Sequence, residues 1–253
     1  MLETATTTPF LKVNNLSFAY DPHSPILRTI NFSLAQGEKV GIIGGNGAGK
    51  TTLFLSICGI LRPTAGEIHL LGKHIKTGQF YPEVGFIFQN PDDQLFCPTV
   101  REDITFGLEN LGLEITEIDR RTTEAMELTG ITALAERMPQ HLSGGEKCMV
   151  AIAAILAMYP RIVLYDEPNA NLDLRSRRRL ISFLQNSSQT IMLSSHDLEM
   201  ILEVCNRVIV LNQGQIVADG LPKNIMANWQ LMEENGLEVP NSLKNIAIES
   251  SGI

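Results

Sequence analysis

Long apolar runs are missing from this chain. The longest uncharged apolar stretch, 148–159, lies between Lys147 and Arg161 and falls well short of the roughly 20 residues of a membrane-spanning helix. No bilayer-spanning segment is expected. Cysteine is scarce: Cys58, Cys97, Cys148 and Cys205 stand far apart with no CxxC spacing, so neither a disulfide framework nor a zinc site is indicated. All four are expected to be reduced, mostly buried thiols. Charged residues make up only 19%, and Gly and Pro number 20 and 12, which excludes a solvated low-complexity chain and a collagen-like one. Basic side chains are the minority, 20 against 28 acidic, for a net charge of -8. That balance works against broad phosphate-backbone binding, so no nucleic-acid partner is expected. The first residues, mostly Thr with one Glu, lack a basic and an apolar region, and no secretory signal is expected.

What is present is a chain of 253 residues, 44% apolar, long enough for a substantial core. Short Val- and Ile-rich runs alternate with longer helical patterns, which predicts an α/β fold with a mostly parallel sheet. Strands are expected at 11–18, 39–43, 84–88, 162–165, 190–194 and 207–211. More than seventy residues without a strand pattern separate the third and fourth of these, and both Thr99-x-x-Glu102 and Ser143-x-x-Glu146 have the form of a helix capping box. An inserted helical lobe, at about 91–159, follows. After Gly220 a short helical tail, 222–234, runs into a polar end with Ser250, Ser251 and Gly252 that is expected to be loose. No repeat at a fixed period is visible, so one copy of the domain is expected.

Gly44-Gly45-Asn46-Gly47-Ala48-Gly49-Lys50-Thr51 follows the apolar strand 40–43 and opens a helix expected at 52–60, matching GxxxxGK[ST] in its strand-loop-helix context. Glycines let backbone N–H groups curl around phosphates, and the helix N-terminus adds positive potential. Lys50 supplies charge to the β and γ phosphates, and the Thr51 hydroxyl can ligate Mg²⁺. A plain Gly-rich turn would account for Gly44 and Gly49 but not for the Lys50-Thr51 pair in register.

The apolar strand 162–165 runs directly into Asp166-Glu167, at the carboxyl end where α/β sheets hold ligands. Asp166 there suits Mg²⁺, and Glu167 can face an attacking water as general base. The plainer reading is an acidic turn before Pro168. Leu142-Ser143-Gly144-Gly145-Glu146 precedes another helix, expected to run to about Met158. Ser143 and Glu146 cap it, and the same N–H groups and dipole make an anion site if a phosphate arrives from outside. A second subunit is its natural supplier.

Together these segments resemble the nucleotide-binding subunits of ATP-binding cassette (ABC) transporters, over residues 9–220. The resemblance implies an Mg²⁺-dependent ATPase with a P-loop core, an N-terminal antiparallel β portion and the helical lobe. It implies further roles. Tyr20 would stack on adenine, and Thr52 would join the loop's phosphate contacts. Gln89, ending the strand 84–88, would touch Mg²⁺ and the attacking water. Asp173, in Asn171-Leu172-Asp173, would cross a dimer interface, and His196 would contact the γ-phosphate. Three departures stand out: Gly45 where the loop usually has another residue, Asn169 where Thr or Ser usually follows Glu-Pro, and Cys148-Met149 at commonly basic or polar positions of the signature helix.

The stretch from Asn90 through Gly107, with Asp92-Asp93-Gln94-Leu95-Phe96, is similar to the ATPases of energy-coupling-factor transporters, including the cobalt and nickel type, as is Asn235-Gly236-Leu237-Glu238-Val239-Pro240. In that branch the first stretch meets a coupling helix of the membrane protein, with core packing as the alternative for Leu95 and Phe96. Asp92 and Asp93 read as solvated surface acids rather than ligands of a transported cation. The resemblance implies ATP, a second ATPase subunit (another copy or a paralogue), integral membrane partners, and a peripheral position at the cytoplasmic face of the membrane. The cargo would be a micronutrient, cobalt or nickel ion or a vitamin. A soluble cassette ATPase working mechanically on a macromolecule is the alternative, and a small-molecule P-loop kinase another that leaves LSGGE unexplained.

Overall fold

The computed structural model describes residues 9–170 and 172–244. Asn171 and the polar end expected to be loose lie outside the described residues. In chain order the strands and α-helices are β1 (Leu11–Asp21), β2 (Ser24–Leu34), β3 (Lys39–Ile43), α1 (Lys50–Ile57), β4 (Ala65–Leu70), β5 (Lys73–His74), β6 (Val84–Ile87), α2 (Val100–Asn110), α3 (Ile115–Thr129), α4 (Gly144–Leu156), β7 (Ile162–Asp166), α5 (Leu174–Asn186), β8 (Thr190–Ser194), α6 (Leu198–Val204), β9 (Arg207–Asn212), β10 (Gln215–Gly220), α7 (Pro222–Met226) and α8 (Trp229–Glu234). Residues up to Tyr81 and from Asn206 onward form one compact unit, and Pro82–Cys205 form a second.

The first unit holds an antiparallel sheet in the order β2-β1-β4-β5 and the strand set β10-β9-β3, in which β3 runs parallel to β9 with Val40 opposite Arg207. β3 and β9 are apolar and almost wholly buried, as strands covered on both faces should be. The antiparallel part that the resemblance implied is therefore present. Its strands β2, β4 and β5, like β10, were not legible as apolar runs. β2 carries Pro25 and the left-handed Thr29 (φ 53), and its register against β1 shifts repeatedly. β4 begins with three exposed residues, and β10 is exposed at alternate positions. Two of the hairpins, β4–β5 and β9–β10, turn on two residues with positive φ, Leu71-Gly72 (52, 77) and Gln213-Gly214 (46, 76), a backbone that matches the strand twist.

The second unit holds the parallel strands β6, β7 and β8, with Ile87 opposite Tyr165 and Asp166 opposite Ser194. Between β6 and β7 the regular structure among the described residues is helical. Both capping boxes form: Thr99 and Ser143 accept from the backbone three residues on, and Glu102 and Glu146 reach back. Boundaries shift slightly from expectation. α1 starts at Lys50, because Gly49 takes the left-handed turn (φ 105) that ends the loop, and α4 stops at Leu156. The tail is two helices, since Asn228 leaves helical geometry and caps α8 by accepting the Leu231 N–H. Cys148 and Cys205 are buried, whereas Cys58 and Cys97 are half-buried; all four are free thiols.

Candidate functional site

The predicted residues divide between the two units. In the first, β3 delivers the chain into residues 44–49, and α1 leaves from them. The loop is pressed against the β9–β10 hairpin. A Cβ on Gly44 would lie 2.1 Å from the Leu211 carbonyl oxygen, and one on Gly49 would lie 2.8 Å from Leu27 Cδ2. Gly214 N–H donates to the Ala48 carbonyl (3.1 Å), and Ala48 N–H to that of Gly45 (3.2 Å). Two glycines are thus fixed by close approach, with Asn46 and Gly47 exposed at the loop's tip. Gly45 is different: a Cβ there would meet nothing within 4 Å. Lys50, buried at the first position of α1, donates through Nζ to Gly44 O (2.9 Å) and Gly45 O (3.4 Å). Thr51 is exposed beside it, and Thr52 is half-buried. Tyr20 lies next to the end of β1 with 69% of its surface open, its ring edge-on to Phe18 at 4.8 Å. An aromatic face held upright and bare is suited to stacking.

In the second unit the carboxyl ends of three neighbouring parallel strands carry the polar groups. β6 leads to exposed Gln89, β7 to Asp166 and Glu167, and β8 through Ser194 and Ser195 to His196. The Ser194 hydroxyl donates to Asp166 Oδ1 (2.6 Å) and accepts the Glu167 N–H (3.1 Å). Glu167 has φ 50, a left-handed backbone that costs a non-glycine residue on the order of 1 kcal/mol or more. It is buried, and its carboxylate is gripped by His196: the His196 N–H donates to Oε2 at 3.0 Å, and the ring Nε2 lies 3.3 Å from Oε1. A carboxylate on a left-handed backbone, held against an imidazole at strand ends, is a pair able to orient and deprotonate water.

The signature segment opens α4 with Ser143 and Gly144 exposed. Ser143 N–H and Oγ–H each donate to Glu146 Oε2 at 2.8 Å, and these bonds hold the Glu146 carboxyl below its ordinary range. The box therefore supports the helix end whose dipole favours an anion. Gly145 has a separate reason to be glycine. A Cβ on it would lie 2.1 Å from Ser176 Oγ and 2.5 Å from Ser176 Cβ, at the start of α5. Asp173 caps α5, accepting the Ser176 N–H (2.8 Å), and that bond lowers its pKa. Cys148 is buried, its thiol 3.5 Å from the Pro168 carbonyl and pushed up to about 12 by burial; Met149 is buried as well. Leu95 is buried, whereas Phe96 stays 62% exposed and stacks edge-on with Phe106 at 4.9 Å. Asp92 is paired with Lys147 (2.6 Å).

Residues 195, 197 and 177 had no role in the sequence reading. Asp197 is held bidentately by Arg177, with Asn169 Nδ2 at 3.4 Å, and Ser195 Oγ donates to Asn169 Oδ1 (2.8 Å). Spacing places Arg177 one helical turn after Asp173, but nothing in the sequence signals its contact with Asp197.

A sequence model of the ABC transporter family matches residues 27–170. This chain belongs to the ABC transporter family. An ABC transporter ATP-binding protein of Synechocystis sp. is 57% identical over 236 residues, 93% of this chain and 83% of that one. The energy-coupling factor transporter ATP-binding protein EcfA of Methanothermobacter thermautotrophicus is 44% identical over 240 residues, 92% and 77% of the two chains. The solved structure of CbiO1 from Clostridium perfringens, described as part of the ABC transporter complex CbiONQ, superposes with a TM-score of 0.81 at 33% identity, covering 97% of this chain and all of that one. This ABC ATPase is accordingly an ATP-binding, ATP-hydrolysing transporter subunit, and its resemblance to the energy-coupling-factor and cobalt branch is borne out by these relatives. No helix among the described residues is long and apolar enough to cross a membrane.

Proposed function

We propose that this ABC ATPase works as one of a pair of chains facing head to tail, with ATP as part of their interface. The partner is a second copy or a paralogue. Each nucleotide is held by the 44–51 loop and Lys50 of one chain and by the 143–146 helix start of the other, where N–H groups and dipole receive its terminal phosphate. Tyr20 stacks on adenine, Thr52 adds a phosphate contact, and Asp173 meets the opposite chain. Asp166, Thr51 and Gln89 offer carboxylate, hydroxyl and amide oxygens, a hard donor set that fits Mg²⁺; Asp166 and Gln89 stand at the ends of neighbouring parallel strands. An Mg²⁺ ion held by them would supply positive charge against the phosphates of the nucleotide. Glu167 takes the proton of the attacking water, and His196 holds Glu167 and faces the γ-phosphate.

ATP closes the pair because its affinity differs between closed and open forms, and hydrolysis reopens it. The motion drives integral membrane subunits, with the ATPase domain at 9–220, its helical lobe at 91–159 and the tail at 221–253, peripheral at the cytoplasmic face. The cargo is a micronutrient, a cobalt or nickel ion or a vitamin, as the resemblance of the stretch from Asn90 through Gly107 to the energy-coupling-factor branch implies. The observation that carries the reading is Glu167, strained and gripped beside His196. Glu167→Gln is expected to keep ATP binding and closure while hydrolysis falls by roughly 10²- to 10⁴-fold. Turnover at the wild-type rate would exclude Glu167 as the base.

A further inference from the structure

Glu167 and His196 depend on a third element. The Glu167 carboxylate is aimed by the backbone and ring of His196, so whatever fixes residues 195–197 fixes the pair. Asp197 is the anchor there. Its Oδ1 accepts the Met200 N–H at the start of α6, and both its oxygens are taken by the planar fork of Arg177, at 2.9 Å for Nη2 to Oδ1. The ring closes on the Glu167 side. Asn169, two residues beyond Glu167, receives Ser195 Oγ–H and reaches Asp197, while Asp197 N–H donates to Ser195 Oγ at 3.0 Å. Asn169, one of the departures from the common pattern, thus joins the segment after Glu167 to the segment around His196.

Arg177 belongs to the first turn of α5, and its own N–H donates to the Asp173 carbonyl at 2.8 Å. α5 is bound to α6 a second time where Arg178 pairs with Glu203. A displacement of the start of α5 therefore pulls on Asp197 directly. A bidentate fork is intolerant of such displacement, because both bonds lengthen together.

We infer that Arg177 is a positioning residue for hydrolysis: by gripping Asp197 it sets His196 against Glu167, and by sitting one turn from Asp173 it makes that setting depend on how the start of α5 is held. The inference rests on the reading of Glu167 and His196 as the hydrolytic pair.

The test uses the full-length chain and measures steady-state ATP hydrolysis, binding of a fluorescent ATP analogue and thermal unfolding. Arg177→Met and Asp197→Asn are each expected to lower kcat about 10-fold or more, as a small misplacement of a reacting group does, with KM and analogue affinity within about twofold. Combined, they should lose no more than the worse single variant, since the two act as a unit. Arg177→Lys should recover part of the loss. Asparagine still caps α6, so Asp197→Asn isolates the ion pair; if Arg177→Met does not unfold cooperatively, Asp197→Asn with Arg177→Lys decides. A kcat within twofold of wild type in Asp197→Asn, losses that multiply in the double variant, or a raised KM at unchanged kcat would overturn the inference. Glu167→Gln run in parallel separates the two claims. Its loss of turnover beside an active Arg177→Met sinks only the positioning role, whereas wild-type turnover in Glu167→Gln removes the hydrolytic reading beneath it.

Discussion

Gly145 offers a sharp trial of this account, because sequence and structure give it different duties. The LSGGE pattern assigns it to anion binding, while the structure places Ser176 where its side chain would be: an added Cβ would lie 2.1 Å from Ser176 Oγ and 2.5 Å from Ser176 Cβ. Rotating the serine hydroxyl relieves the first contact but not the second, so α4 or α5 has to move. Overpacking of this kind costs about 1–3 kcal/mol. Alanine in place of glycine in a helix returns at most ~1 kcal/mol, and less in a first turn. Gly145→Ala should therefore be net destabilising, lowering the unfolding midpoint by about 2–8 °C for a chain of this size. The decisive partner is Ser176→Gly, which deletes the opposing Cβ at the cost of the hydroxyl's 3.1 Å bond to Asp173. Thermal unfolding and ATP turnover of both single variants and the double form a cycle. The double variant should be more stable than the sum of the singles and should regain turnover. A higher midpoint in Gly145→Ala, or strictly additive singles, would refute the packing explanation.

Other outcomes follow from the same geometry. Tyr165 is fully buried with its hydroxyl meeting no hydrogen-bond partner among the described residues, so Tyr165→Phe should raise stability by about 1 kcal/mol in thermal or denaturant unfolding; a loss would reveal a partner for the hydroxyl. Gly45→Ala should stabilise the nucleotide-free chain by about 0.4–1 kcal/mol in thermal unfolding, since a Cβ there meets no atom within 4 Å and the unfolded chain loses freedom; a lower midpoint would contradict this. Burial pushes the Asp197 carboxyl up, yet the Arg177 fork and the Met200 N–H prevail and hold it below its ordinary range. As pH falls the unfolded chain takes up this proton first, so the stability Asp197 adds near neutrality is lost on acidification. The midpoint gap between wild type and Asp197→Asn should shrink from about pH 7 toward about pH 3; a gap of constant size would contradict the shift.

Much of the second unit was legible because its signals are local. Strands β7 and β8 are built on apolar runs, 162–165 and 191–193, and are buried at every position, and both capping boxes stand at their predicted places. The phosphate loop was legible for the same reason, although the close approach of Leu211 that makes Gly44 obligatory comes from a strand more than 160 residues away. β2, β4 and β10 escaped notice because half-exposed antiparallel strands with bulges and left-handed residues such as Thr29 carry no continuous apolar run. Gly145 and Arg177 illustrate a different shortfall. Their partners, Ser176 and Asp197, are fixed by tertiary packing of α4, α5 and α6, and no spacing rule announces a contact between separate helices.

The central claim is that one nucleotide is gripped by two polypeptides. The direct measurement is a structure of the assembled transporter carrying Glu167→Gln and trapped with ATP and Mg²⁺. The account predicts the Ser143 hydroxyl of one chain within about 3 Å of the γ-phosphate seated on Lys50 of the other. An ATP enclosed by one chain alone, with Ser143 distant from every γ-phosphate, would contradict it.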